Sequence, residues 1–219
     1  MLRALFEKTG NAVYISHLDL MRLFQRSFKR AGLSLKHTQG YNPRPSVSIA
    51  LPLSLGVESS CELLDFELEG ETVAYNEIRD RLNAALTDGI RVLEIYEAKN
   101  KLKELAFLSC CVTMEYDSGI PEKAGEQLQK LFADSEIIVE KKGKNGITEQ
   151  NIAPMIQSFS IERLNDKELV LHGLICCQNP SLNPAQLVAA IRKYLPELTP
   201  DFSRICRTEI YNTKKELFR

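Results

Sequence analysis

A loop rich in Gly, Asn and Pro carries the side chains best suited to bind an anion, in the sequence QGYNPRP over residues 39–45. Pro43 and Pro45 fix their own φ angles, and each restricts the residue before it. The backbone at Arg44 is therefore stiff, so little entropy is lost when its guanidinium binds a phosphate or a carboxylate. Tyr41 offers a ring that can stack on a base. The predicted binding residues of this loop are Gln39, Tyr41, Asn42 and Arg44.

A basic helix is predicted immediately before this loop. Ser16 is a good N-cap, and Asp19 three residues later resembles a capping box at the positive end of the helix. Apolar residues recur with helical period from Leu20 to Ala31 and predict a face that packs on the core. Gly32 is expected to end the helix. Cations occupy another face, and we expect the following to bind an anion: Arg22, Arg26, Lys29 and Arg30.

The charge of the chain is unevenly distributed. Residues 1–45 contain eight Lys or Arg and two acidic residues, a net charge of +6, whereas the remaining residues carry −7. A nearly neutral protein with its positive charge at one end favours a local anion-binding face. A solvated helix surface that is balanced by acidic neighbours would have the same composition, and the loop would then be a rigid connection. The sequence leaves both interpretations open.

Groups for catalysis are scarce. The chain has three histidines and none of the common nucleophile, nucleotide or metalloprotease motifs, so we predict no catalytic residue. His17 begins the basic helix and, with Asp19, is the one pair placed to transfer a proton. His172 lies in an apolar strand and is interpreted as structural. Ser59 and Glu62 belong to a second loop, where Glu62 either forms a salt bridge to Arg44 or the basic helix, or lines a shared pocket.

The six cysteines do not predict a metal site. No C-x-x-C occurs, and the two Cys-Cys pairs lie in apolar runs whose adjacent residues point to opposite faces of a strand. We expect buried thiols in a reducing compartment, no metal and no cofactor. The N-terminus lacks the apolar core of a signal peptide, and no apolar run approaches the length needed to span a bilayer. We expect a cytoplasmic protein with no membrane partner.

The order of predicted elements indicates an α+β protein of two tandem ferredoxin-like domains with antiparallel sheets, over residues 1–100 and 104–219. The first domain reads β-α-β-β-α-β with an extra hairpin arm. It includes a strand at Leu33–Thr38 and a second helix capped by Thr72. The second domain repeats the pattern with one strand added, and has a basic turn, KKGKNG, at Lys141–Gly146. The scaffold is expected to bring the two loops and the start of the basic helix into one site.

Three segments resemble a known family: YISHLDLMR (Tyr14–Arg22), QGYNPRP (Gln39–Pro45) and LPLSLGVESSCE (Leu51–Glu62). They look like the signature of the bacterial radical-SAM-associated proteins, a domain of unknown function that is fused behind a radical SAM enzyme or encoded next to one. Relatives often have His or Lys where this chain has Arg44 or Ser46. The resemblance implies a radical SAM enzyme as partner, and the neighbouring genes of the family imply RNA or the ribosome as the shared substrate.

The function that this pattern favours is non-catalytic recognition. The chain lacks the C-x-x-x-C-x-x-C that holds a radical SAM cluster, so it would serve an enzyme that has one. We expect it to bind RNA or a ribonucleoprotein through the basic helix and the Arg/Tyr loop. Two alternatives remain open at this point. One is a metal-independent RNA-processing enzyme that uses His17, and the other is a protein–protein adaptor that binds no nucleic acid.

Overall fold

The computed structural model describes residues 1–70, 73–143 and 146–219. It has a mixed α+β fold of largely antiparallel strands, with four α-helices in these ranges. The chain divides into two compact units, Met1–Glu104 together with Arg219, and Leu105–Phe218. Within the described ranges, no helix combines the length and the apolar character that crossing a membrane requires.

The first unit is a four-stranded antiparallel sheet with two helices. The elements are β1 Leu2–Lys8, α1 His17–Arg30, β2 Val47–Ile49, β3 Val57–Phe66, α2 Tyr75–Ala85 and β4 Ile90–Glu97. The strands follow the order β4-β1-β3-β2, and every neighbouring pair is antiparallel. A 3₁₀ turn at Gly10–Tyr14 separates the first strand from the first helix.

Helix α1 forms where its cap and apolar stripe predict. The hydroxyl of Ser16 accepts a hydrogen bond from the amide of Asp19 at 3.2 Å, which confirms Ser16 as the N-cap. At the other end, Gly32 adopts a φ of +68° and the amide of Leu33 donates to the carbonyl of Phe28 at 2.9 Å. This is a Schellman ending, and the left-handed conformation is one that glycine adopts at little cost.

The core of the first unit lies between its two helices and the sheet. Leu20, Phe24 and Phe28 of α1 are buried, as their spacing predicts. The ring of Phe24 meets Phe6 of β1 edge-on at 4.9 Å, and the ring of Phe28 meets Phe66 of β3 at the same centroid distance. Burying aromatic side chains in this way contributes about 1.5–3 kcal/mol each and fixes α1 against the sheet. Only the outer face of α1 is left for binding.

Two local predictions of the first unit need comment. The strand predicted at Leu33–Thr38 is wrong, because this stretch contributes only isolated bridges, Leu35 to Leu68 and His37 to Pro45. Its backbone instead pairs with the residues after the loop. Helix α2 has Ala74 at its N-cap position, with no side-chain capping bond, and the predicted cap, Thr72, lies outside the described residues.

The second unit repeats this arrangement of strands. Its main sheet has the order β10-β5-β9-β8, again antiparallel throughout. Two further strands, β6 and β7, pair with each other, where the sequence predicts a single strand. Lys144 and Asn145 of the predicted basic turn lie outside the described residues. The elements are β5 Leu105–Glu115, α3 Ala124–Phe132, β6 Ile138–Gly143, β7 Gly146–Asn151, β8 Ile156–Arg163, β9 Glu168–Cys176, α4 Ala185–Tyr194 and β10 Phe202–Asn212.

Candidate functional site

The loop QGYNPRP is the tip of a hairpin arm, which we define as residues 36–46. The amide of Thr38 donates to the carbonyl of Arg44 at 2.8 Å, and the amide of Arg44 returns a bond to the hydroxyl of Thr38 at 3.1 Å. Nearer the sheet, the amide of Ser46 donates to the carbonyl of Lys36 at 2.6 Å, and the amide of Lys36 to the carbonyl of Glu67 at 2.9 Å. These bonds hold the base of the arm.

The predicted binding side chains of the arm point into solvent. Tyr41 is 100% exposed, an unusual position for a large aromatic residue in a molecule that has a core to bury it. Gln39, Asn42 and Arg44 are exposed as well. Within the described parts of the chain, the guanidinium of Arg44 makes no hydrogen bond or ion pair. The arm therefore presents a ring and a cation that take no part in holding the fold.

All four predicted cations of α1 are exposed, and three of them form one basic face. Arg22, Arg26 and Lys29 are exposed, and Gln25 lies beside them at the edge of this face. Arg22 pairs with Asp19 one turn earlier, at 3.0 Å, and both side chains are more than half exposed. Hydrogen bonds to Asp19 from Ser16 and then Arg22 lower the pKa of that carboxyl. An exposed pair of this kind contributes little stability, so Arg22 can exchange Asp19 for another anion.

Arg30 has a different role. Its guanidinium donates to the carbonyl of Ala85, the last residue of α2, at 2.5 Å, and to the hydroxyl of Ser27 at 3.1 Å. Ser27 is fully buried and donates to the same carbonyl. A cation at the carboxyl end of a helix is favourable, because the last carbonyls carry a partial negative charge. Arg30 is also exposed, but it links the two helices, and this bond distinguishes it from the other three cations.

A groove of about 480 Å³ lies between α1 and the hairpin arm. Gln25, Phe28 and Lys29 form its α1 side, and His37 and Pro45 form the side at the base of the arm. Its lining combines apolar residues such as Leu33 and Leu35 with polar ones, including Ser34 and Glu69. Lys29 of the basic face and the base of the hairpin arm therefore border one concave surface, which we call the arm groove.

The start of α1 and the second loop are not part of this surface. His17 lies twelve positions before Lys29, a separation of about 18 Å along a helix. Ser59 and Glu62 are buried in β3, where Glu62 is only 1% exposed. Of the alternatives left open for Glu62, a salt bridge to Arg44 is not formed, because Glu62 is buried and the guanidinium of Arg44 stays in solvent. The structure thus separates the twelve predicted residues into five groups: the tip of the hairpin arm, the exposed face of α1, Arg30 at the end of α2, the helix start and a buried pair in β3.

Lys8 is a buried cation that the sequence does not single out. It ends β1 opposite Ser59, is 1% exposed, and its ammonium donates to the carbonyls of Ile15 at 2.9 Å and Val13 at 3.3 Å. Burial lowers the pKa of Lys8, and the nearby charge of Glu62 opposes that shift. Lys8 therefore anchors the 3₁₀ turn before α1 from below. The only sequence signal for this is a lysine at the end of an apolar strand.

A buried ion pair between β1 and β3 also supports the sheet of the first unit. Arg3 is 1% exposed and its guanidinium donates to both carboxylate oxygens of Asp65, at 2.6 and 3.0 Å. The bidentate geometry suits a buried pair, since it satisfies both oxygens at once. Across the ranges that the structure covers, no group of three or more His, Cys, Asp or Glu side chains is arranged to hold a metal ion.

Comparisons with known proteins identify a family. A family model described as "Uncharacterized protein conserved in bacteria (DUF2344)" matches residues 1–184. None of the curated proteins matches the chain. Among solved structures, a crystal structure of a Cbf5-Nop10-Gar1 complex is similar, with 7% sequence identity and a TM-score of 0.49. The similarity covers 94% of this chain and 48% of that chain, so this chain spans about half the length of that match. A crystal structure of an unknown protein from Galdieria sulphuraria is 11% identical, with a TM-score of 0.27, over 94% of this chain and 96% of that one.

Proposed function

The chain belongs to the DUF2344 family of uncharacterized bacterial proteins, and we propose that it is a non-catalytic accessory protein that recognises RNA, or an RNA-containing particle such as the ribosome, for a radical SAM enzyme in the cytoplasm. The observation that carries this proposal is the arm groove. One concave surface is bordered by Lys29 and by the base of the hairpin arm. The same arm carries Arg44 and the fully exposed Tyr41.

The charges suit a phosphate backbone. Arg22, Arg26 and Lys29 project from successive turns of α1, and Arg44 adds a planar fork on a backbone stiffened by two prolines. If these four cations each neutralise one phosphate of a single strand, log K should fall with log salt at a slope of about −3. RNA is favoured over an acidic protein because Tyr41 can stack on an unpaired base, as aromatic residues do in single-strand binders.

Retention of RNA tests this proposal directly. Bulk tRNA and rRNA are incubated with the wild type at low salt, and binding is followed by electrophoretic shift. The variant R22E/R26E/K29E should lose retention, whereas K130E/K167E/R192E, which reverses three exposed cations of the second unit, should keep it. No shift with the wild type, or an equal loss in both variants, would refute specific recognition by α1.

The radical SAM partner is supported by the motifs that carry the family resemblance. Tyr14 and Leu18 of the first motif and Leu55 of the third are exposed apolar residues. The amide of Gly56 donates to the carbonyl of Val13 at 3.0 Å, so the two motif segments lie side by side at the start of α1. We propose that this patch, Tyr14, Leu18 and Leu55, docks on the enzyme, while the arm groove holds RNA.

Capture from the native cell tests the partner. A tagged chain should co-purify with a radical SAM enzyme after nuclease treatment, and Leu18→Asp should abolish this while RNA binding stays intact. Capture of the enzyme by a chain that retains no RNA would favour the adaptor alternative. Cleavage of RNA by the purified protein in a chelator, abolished in His17→Ala, would favour the processing alternative. Failure to capture any radical SAM enzyme would remove the proposed partner.

We also propose that each unit is a ferredoxin-like domain, over residues 1–100 and 104–219. Two observations support this. In each unit the strand order corresponds to 4-1-3-2 of a β-α-β-β-α-β pattern, when the separate β6–β7 pair is taken as an insertion. In each unit the two helices occupy the two crossover positions of that pattern.

A further inference from the structure

Three side chains on one face of the main sheet of the second unit form a hydrogen-bonded group that has no part in the proposed function. Cys111 of β5 and His172 of β9 are direct cross-strand partners, and the Cys111 Sγ lies 3.2 Å from Nδ1 of His172. Nε2 of His172 lies 3.2 Å from a carboxylate oxygen of Glu162 on β8. Three adjacent strands thus set a thiol, an imidazole and a carboxylate in sequence.

This hydrogen-bonded group of three side chains is accessible to solvent. Alternate residues of β5, such as Leu108, Cys110 and Val112, are buried, whereas Cys111 belongs to the other, half-buried set. The side chains of His172 and Glu162 are 43% and 60% exposed. Cys111 is thus half-buried rather than enclosed in the core, and its two partners on the same face are exposed. The sequence misses this arrangement because it depends on the register between three strands.

The order of the three groups excludes shared metal coordination and favours proton transfer. The imidazole lies between the thiol and the carboxylate, and its two nitrogens point in opposite directions, so the three groups cannot hold one ion. A carboxylate that accepts the Nε2 proton leaves Nδ1 as an acceptor for the thiol proton. Nucleophile, base and orienting carboxylate are the parts of an activated cysteine.

We propose that Cys111 is a nucleophilic thiol that exchanges with small disulfides. His172 takes the thiol proton as the sulfur attacks one sulfur of the disulfide. A new S–S bond to Cys111 forms as the S–S bond of the small molecule breaks, and the leaving thiolate takes the proton from His172. One disulfide and one thiol give one mixed disulfide and one thiol, so no other oxidant is needed.

Burial raises the pKa of Cys111, and the charge of Glu162 adds to this effect. The resting group is therefore a thiol, and the contribution of His172 is to remove the proton during the attack. The pKa values and surroundings of the other cysteines can be compared with those of Cys111 in the same protein. Burial raises the pKa of Cys110 to about 12 and that of Cys177 to about 11. Cys206 lies directly opposite Cys111 on β10 and is half-buried, with its thiol directed at the carbonyl of Arg207.

The test uses the native protein and the aromatic disulfide dithiobis(nitrobenzoate), whose released thiolate is coloured. Wild type should show one fast phase, which Cys111→Ser removes and Cys206→Ser retains. His172→Gln should slow this phase at least about tenfold, and Glu162→Gln should slow it less. Mass spectrometry after a short reaction should place the adduct on Cys111.

Unfolded protein provides the control for access and intrinsic reactivity. In denaturant, wild type and His172→Gln should react at the same rate, because the neighbouring strands no longer hold the imidazole near the sulfur. Circular dichroism of each variant checks that it is folded. A Cys111 that reacts no faster than Cys206 in the native protein, or a fast phase that His172→Gln leaves unchanged, would overturn the proposal.

Discussion

The backbone amide of Thr38 donates to the carbonyl of Arg44 at 2.8 Å, and the hydroxyl of Thr38 accepts from the amide of Arg44 at 3.1 Å. This pair of bonds closes the hairpin arm below its tip. The five residues between them include Tyr41, which has no contact to lose when it binds a ligand. The arm is thus fixed at its base and open at its tip.

Thr38→Val should loosen the arm without unfolding the protein. The change preserves shape and removes the hydroxyl acceptor of the Arg44 amide, a loss of about 1 kcal/mol that is confined to the arm. Hydrogen exchange should become faster at the amides of residues 38 and 44, which these two bonds protect, and RNA affinity should fall several-fold. Thr87→Val, at an exposed turn of the same unit, is the matched control. Unchanged exchange in the arm would show that this bond does not hold it.

Arg26→Gln and Arg30→Gln should separate binding from stability. Arg30 bonds to the end of α2, so Arg30→Gln should lower the free energy of unfolding by about 1 kcal/mol and leave RNA affinity nearly unchanged. Arg26 belongs to the exposed face that we propose contacts phosphates, so Arg26→Gln should do the reverse. Urea denaturation and anisotropy of labelled RNA measure the two effects. A larger loss of RNA binding in Arg30→Gln would contradict the assigned roles.

These two arginines also show which features of α1 the sequence predicts and which it does not. The cap at Ser16, the apolar stripe and the glycine ending of α1 are local signals, and all are found in the structure. The engagement of Arg30 depends on where α2 ends, which no local pattern contains. The same holds for the strand predicted at Leu33–Thr38, whose hydrogen-bonding partners come after the loop.

The burial of individual side chains was the property of the site that the sequence predicted least well. Ser59 and Glu62 look like polar residues of a Gly/Ser loop, but pairing with β1 places both inside the unit. The register shift between Phe6 and Lys8 sets Lys8 opposite Ser59, and a one-residue shift in a strand reverses which side chains face inward. Cys111 and Cys206 are the opposite case, since they are half-buried where buried thiols were expected.

Lys8→Met should destabilise the first unit in a pH-dependent manner. It leaves the carbonyls of Val13 and Ile15 without their ammonium donor and removes the favourable charge of Lys8 near Glu62, at a cost of about 3 kcal/mol. The lowered pKa of Lys8 sets the sign of the pH effect. Between that pKa and 10.5, the unfolded chain holds more protons at this site than the folded one, so the contribution of Lys8 to stability rises with pH.

The measurement is the difference in unfolding free energy between wild type and Lys8→Met, taken at about pH 8 and about pH 10. The difference should be larger at the higher pH. Taking a difference cancels the titration of Tyr96 and Tyr116, whose pKa values are raised by burial to about 12 in both proteins. A difference that is constant or falls with pH would contradict the account of Lys8.

The salt dependence of RNA binding tests the central claim most directly. The affinity of wild type and of R22Q/R26Q/K29Q for one single-stranded RNA is measured across a series of salt concentrations, with K130Q/K167Q/R192Q as the control. Three cations on phosphates predict that the slope of log K against log salt becomes shallower by about 2 in the first variant and stays unchanged in the control. Equal slopes in all three proteins would contradict recognition through α1 and the hairpin arm.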